Sequence, residues 1–130
     1  MSKKKLDKIL DKLEKFCNPI SVFLYGSRAR ADFLPSSDFE IGVLIPEKRY
    51  VGRSKIKRAV IGSSKGVSIY PFKYEDFIKR KIDTPFQKSI YLRDLILGGT
   101  TLRGKKVIEN MKPPQVRVLD LIQDLRFSLG

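Results

Sequence analysis

Two acids one residue apart, Asp38 and Glu40, follow shortly after a Gly26-Ser27 pair. Around them Asp38, Glu40, Gly42 and Leu44 alternate with Phe39, Ile41, Val43 and Ile45, the period-two pattern of a strand, so both carboxylates share one face. Carboxylates placed side by side in this way can hold Mg²⁺, a hard cation that prefers oxygen ligands and often shares them with phosphates. Gly26-Ser27 breaks a β-branched and aromatic run at residues 20–25 and precedes a short helical pattern at 28–32. Glycine at such a turn allows close backbone approach, and the Ser27 hydroxyl and the amides of a helix start offer donors to phosphate oxygens. Arg28 and Ser37 lie in the same stretch and are read with Gly26 and Ser27 as the phosphate-binding set. A triphosphate seated on the turn would meet the metal held by the two acids.

These residues need a scaffold, and the flanking sequence supplies one. Residues 3–17 place Leu6, Ile9, Leu10, Leu13, Phe16 and Cys17 at helical spacing with lysines outward, and Asn18-Pro19 ends that helix. Strands are expected at 20–25, 38–45 and 66–70, a basic-faced helix or lid at 48–58, and a short helix from Tyr74. Thr84-Pro85 is a good start and Gly98-Gly99 a good stop for a helix over 85–97, with Phe86, Ile90, Leu92, Leu95 and Leu97 facing the core. Residues 100–108 read as a short strand or turn, and an amphipathic segment spans 116–128 after Pro113-Pro114. The fold expected is α/β (α+β), a small mixed sheet flanked by helices, in one domain over residues 1–130. Cys17 reads as a small buried hydrophobe, and Tyr25, Tyr70 and Tyr91 as core or edge residues.

Composition narrows the chemistry. The chain of 130 residues has no histidine, which removes Ser-His-Asp and Cys-His nucleophile systems and most mononuclear zinc sites. One cysteine cannot form an intrachain disulfide, and no apolar stretch approaches the ~20 residues of a membrane span, so a cytoplasmic protein without a membrane role is expected. With 27 Lys+Arg against 14 Asp+Glu the formal net charge is 27 − 14 = +13, which favours polyanionic partners. Residues 48–58 hold Lys48, Arg49, Arg53, Lys55, Lys57 and Arg58 with no acid among them, a candidate contact for nucleic acid or a triphosphate.

The stretch from Phe23 to Leu44, with Gly26-Ser27-Arg28-Ala29-Arg30 and then Ser37-Asp38-Phe39-Glu40, resembles the nucleotidyltransferase superfamily typified by DNA polymerase beta. It is most similar to the minimal nucleotidyltransferases, whose signature is GS, a spacer, then a serine and two acids one residue apart. The resemblance is strong over 20–45 and one of layout over 46–108. It implies Mg²⁺-dependent transfer of a nucleoside monophosphate from an NTP to an acceptor, with Asp38 and Glu40 as metal-holding catalytic acids. It also implies that a separate helical partner protein is plausible. Two positions depart from the family pattern: Glu40 stands where the family usually has Asp, and Ser68 stands where the third strand usually carries a third carboxylate. Glu75 and Asp76 are the nearby acids that might fill that role. The alternative reading is a catalytically degenerate module of the same fold that binds nucleic acid or a partner protein.

Overall fold

The structure is a computed structural model, and it describes residues 3–26, 39–62, 65–79 and 96–111. Four strands, β1 (Ser21–Tyr25), β2 (Phe39–Ile45), β3 (Val67–Lys73) and β4 (Thr100–Gly104), form one mixed sheet in the order β3-β2-β1-β4. β1 runs antiparallel to both β2 and β4, while β2 and β3 are parallel. The helices are α1 (Lys3–Cys17), α2 (Arg53–Ile56), which continues into a wide turn at Lys57–Ile61, and α3 (Tyr74–Ile78). A mixed α/β sheet flanked by helices is what the hydrophobic patterning called for. No helix among the described residues is long and apolar enough to cross a membrane.

The alternation along β2 divides the core in two. Ile41, Val43 and Ile45 join Val22, Val67 and Ile69 on one face, where Ile9, Leu10, Leu13 and Cys17 of α1 and Ile56 of α2 cover them. On the other face Phe23, Tyr25 and Leu44 pack with Phe77 of α3, Ile96, Val107 and Ile108. This second face is aromatic: the Phe23 ring lies 5.6 Å from Tyr25 and 5.8 Å from Phe77, and Phe72 is 5.4 Å from Phe77, centroid to centroid. Room for the Phe23 ring comes from Gly42, its cross-strand partner, because any β-carbon there would overlap the ring.

Three expectations change in detail. β3 runs on through Pro71 to Lys73, where a break near Tyr70 was expected. Proline lacks a ladder donor, but β3 is an edge strand and one side of its backbone has no neighbour to serve. The expected helix at 48–58 is two pieces, a 3₁₀ turn at Glu47–Arg49 and then α2, with Tyr50, Val51 and Gly52 between them. Near Gly98-Gly99 the buried residue is Ile96, whereas Leu97 is 60% exposed, since neighbours on a helix point about 100° apart and only one can face Phe23. The expected turn at 28–32, most of the helix at 85–97 and the segment at 116–128 lie outside the described residues.

α1 is fastened to the far edge of the sheet by charge. Asp7, Asp11 and Glu14 recur at helical spacing and converge on Arg103 of β4, whose guanidinium donates to Asp11 and, at 3.1 Å, to Glu14, with Asp7 at 3.9 Å. These bonds, that to Asp11 foremost, raise the Arg103 pKa further above its ordinary value.

Candidate functional site

β1 ends at Tyr25, and Gly26 turns the chain with φ +75°, in the left-handed region that glycine enters at little cost. Tyr25 pairs with Glu40 of β2, and Glu40 pairs with Ser68 of β3, so the three residues form one row across the sheet. Directly opposed residues share a face, so Tyr25, Glu40 and Ser68 all belong to the aromatic side. The Glu40 side chain reaches back over Gly26. A β-carbon added at Gly26 would overlap Oε2 of Glu40 and stand 3.0 Å from its Cδ. Glycine is thus required here twice, for backbone conformation and for the space that the carboxylate occupies.

The spacing that pointed to this corner therefore brings Gly26 and Glu40 together, with Ser68 beside them. Ser27, Arg28, Ser37 and Asp38 lie outside the described residues. Among the described residues no three acids or thiols gather as a metal cluster. Glu40 at the turn and the Ser68 hydroxyl next to it are hard oxygen donors, the kind that suits Mg²⁺ and not a soft metal.

Glu75 stands elsewhere. Its Oε2 accepts the backbone N–H of Glu47 at 2.8 Å, just past the far end of β2. Lys73, which precedes α3, is five residues beyond Ser68 on β3, a separation of about 16 Å at ordinary strand rise. The backbone N–H groups of Glu75 itself and of Glu47 hold its carboxyl below the usual range, as suits an anion that caps a turn. Asp76 follows it in the same helix. Neither acid stands beside Glu40, and the place next to Glu40 on β3 is held by serine.

The basic segment also sorts itself in space. Arg49 donates through Nη2 to the carbonyl of Asn18 at 2.9 Å and so secures the end of α1. Lys73 places its ammonium 5.4 Å from the Tyr50 ring. Arg53, the first residue of α2, lays its guanidinium 4.2 Å from the centroid of Tyr70, and Tyr70 in turn lies 6.1 Å from Tyr25. Lys48, Lys55, Lys57 and Arg58 are exposed. The sequence pattern gave no sign that Arg53 reaches the aromatic face, because the pairing depends on α2 passing over the β3 edge.

Comparison with known proteins agrees with this arrangement. A family described as "Nucleotidyltransferase domain" matches residues 3–97. Among solved structures, the spectinomycin adenyltransferase AAD(9) from Enterococcus faecialis, crystallised with ATP and spectinomycin, superposes with a TM-score of 0.60 at 14% identity. That match covers 98% of this chain and 66% of the other, so the chain spans about two thirds of that enzyme's length. A toxin-antitoxin structure with AMP-PNP superposes with a TM-score of 0.51 at 14% identity, over 99% of this chain and 88% of that one. No curated protein matches by sequence. The Gly26 turn, the acid row on β2 and the match across most of the chain converge: the chain belongs to the nucleotidyltransferase domain family.

Proposed function

We propose that the chain transfers a nucleoside monophosphate from an NTP to an acceptor hydroxyl at the corner formed by Gly26, Glu40 and Ser68. The observation that carries this reading is the Glu40 carboxylate lying over Gly26 at the end of β1. Glu40 would hold Mg²⁺ together with Asp38, and Gly26, Ser27, Arg28 and Ser37 would receive the triphosphate. Bound there, the metal would supply charge stabilisation for the phosphoryl oxygens. The acceptor oxygen bonds to the α-phosphorus, the α–β bridging P–O bond breaks, and pyrophosphate leaves with the electron pair.

The hydroxyl proton has no carboxylate at position 68 to receive it, and serine is a poor base near neutral pH. It passes to water, and the natural chain is accordingly a slow transferase. The same serine favours the second reading, a module that binds nucleotide or a partner without turnover. Helical partner proteins and nucleic acid both remain within this proposal, the first by family resemblance and the second by the +13 charge.

Pyrophosphate release from the four NTPs, measured with Mg²⁺ for the natural chain, Ser68→Asp and Glu40→Gln, tests the proposal. Slow release that rises about tenfold or more in Ser68→Asp and vanishes in Glu40→Gln supports transfer, since a general base contributes roughly 10²- to 10⁴-fold. NTP binding without release in the natural chain or in Ser68→Asp establishes the binding module instead.

A further inference from the structure

The acids and the glycine turn account for the nucleotide half of the corner and leave Arg53 unexplained. It is exposed, it pairs with no acid among the described residues, and its guanidinium is seated 4.2 Å from the Tyr70 ring centroid. Tyr70 lies two residues past Ser68 on the same face of β3, so its α-carbon is only about 7 Å further along the strand. The remainder of α2 packs on the opposite face, where Ile56 is fully buried. The segment therefore reaches over the β3 edge at Arg53 alone.

Position along the row assigns the role. Gly26 ends β1, Glu40 stands on the neighbouring β2, and Ser68 follows on β3, the edge strand. In phosphoryl transfer the attacking and leaving oxygens stand roughly in line across the phosphorus. With the leaving polyphosphate on the Gly26 side, the attacking hydroxyl enters from the Ser68 side, next to Arg53. A guanidinium stacked on an aromatic ring keeps its N–H groups in the ring plane and free for a bidentate phosphate contact.

We infer that Arg53, displayed by Tyr70, is a specificity residue that holds a phosphate of the acceptor and so selects single-stranded nucleic acid with a free 3′-hydroxyl. The inference rests on the nucleotidyltransferase reading of the corner. Two measurements on the full chain separate its failure from that of the reading. ATP with Mg²⁺ is titrated calorimetrically into the natural chain, Arg53→Ala and Lys12→Ala. A twelve-residue oligoribonucleotide ending in a 3′-hydroxyl is titrated by fluorescence anisotropy at several salt concentrations.

Lys12 is exposed on α1, on the other side of the sheet, and matches the charge change. Both variants lie on the surface, and thermal melts coincident with that of the natural chain show that they are folded. The expected result is unchanged ATP affinity in Arg53→Ala, with oligoribonucleotide affinity weakened about tenfold, as for loss of a bond to a charged group. The slope of log K against log salt flattens by ~0.7 in the same variant. Equal weakening in Arg53→Ala and Lys12→Ala reduces the effect to net charge and overturns the inference. So does an oligoribonucleotide that the natural chain does not bind, or a loss of ATP affinity in Arg53→Ala that places the residue on the nucleotide. Failure of the natural chain to bind ATP overturns the nucleotidyltransferase reading and this inference with it.

Discussion

Two glycines of β1 and β2 lack a β-carbon for different reasons, and substituting alanine at each separates site from scaffold. At Gly26 the cost has two parts. A backbone at φ +75° charges an L-residue about 1–2 kcal/mol, and the added methyl displaces the Glu40 carboxylate, whose Cδ would be 3.0 Å away. The carboxylate is the far end of a flexible side chain and can swing aside, so the second part falls on the site and not on folding. At Gly42 the backbone is ordinary, but the new methyl meets the Phe23 ring, with Cε1 at 2.8 Å and two other ring carbons nearer still. That ring is fully buried among Tyr25, Phe72 and Phe77 and has nowhere to go. Overpacking of this kind costs about 1–3 kcal/mol or somewhat more. Urea melts should therefore show Gly42→Ala as the less stable protein by about 1 kcal/mol or more. Calorimetric titration of ATP with Mg²⁺ should show the opposite order, with Gly26→Ala weakened at least tenfold and folded Gly42→Ala near the natural affinity. Full ATP affinity in Gly26→Ala would refute the claim that Glu40 works from its position over the turn.

Other outcomes follow from the described contacts. Burial pushes the Cys17 thiol up to about 11, against a smaller downward pull from Arg49. The unfolded chain therefore loses this proton first: stability is fully present below about pH 9, the ordinary thiol value, and falls between there and pH 11 by on the order of 2 kcal/mol. Urea melts at pH 8, 9.5 and 11 should show that fall to be smaller in Cys17→Ala. Arg103→Met should lower stability by about 1 kcal/mol in low salt and by clearly less in 1 M NaCl, because its three partners are largely solvated. A salt-independent loss would assign Arg103 a packing role. Ser21 is fully buried and its hydroxyl finds no partner among the described residues, so Ser21→Ala should be neutral or stabilising by up to about 1 kcal/mol in the same melts. A marked loss would reveal a partner for that hydroxyl.

The sequence was most legible where local physics and tertiary packing agree. The α1 stripe of Ile9, Leu10 and Leu13 and the alternation of β2 appear in the structure much as the spacing required, because one face of each is buried. Gly26 and Glu40 meet because a strand, a turn and a neighbouring antiparallel strand leave few ways to arrange them. Legibility failed where the outcome depends on which strand lies at an edge. Pro71 argues locally for a break and is tolerated only because β3 has one free side. The basic run at 48–58 looks uniform in sequence, yet Arg49 is committed to the Asn18 carbonyl and Arg53 to the Tyr70 ring. Likewise Glu75 and Ser68 both looked open to a role beside the metal, and only the parallel register of β2 with β3 puts serine there and sends Glu75 to the other end.

The central claim, that the Glu40 carboxylate over Gly26 forms part of a metal-dependent nucleotide site, is tested most directly by titrating ATP into the natural chain and into Glu40→Gln, each with and without Mg²⁺. Glu40→Gln keeps the shape of the side chain and removes its charge, so the fold is retained while the metal loses a ligand. The account predicts binding by the natural chain that strengthens at least tenfold when Mg²⁺ is present, and no Mg²⁺ effect in Glu40→Gln. Equal ATP affinity with and without Mg²⁺, or an undiminished Mg²⁺ effect in Glu40→Gln, would contradict it.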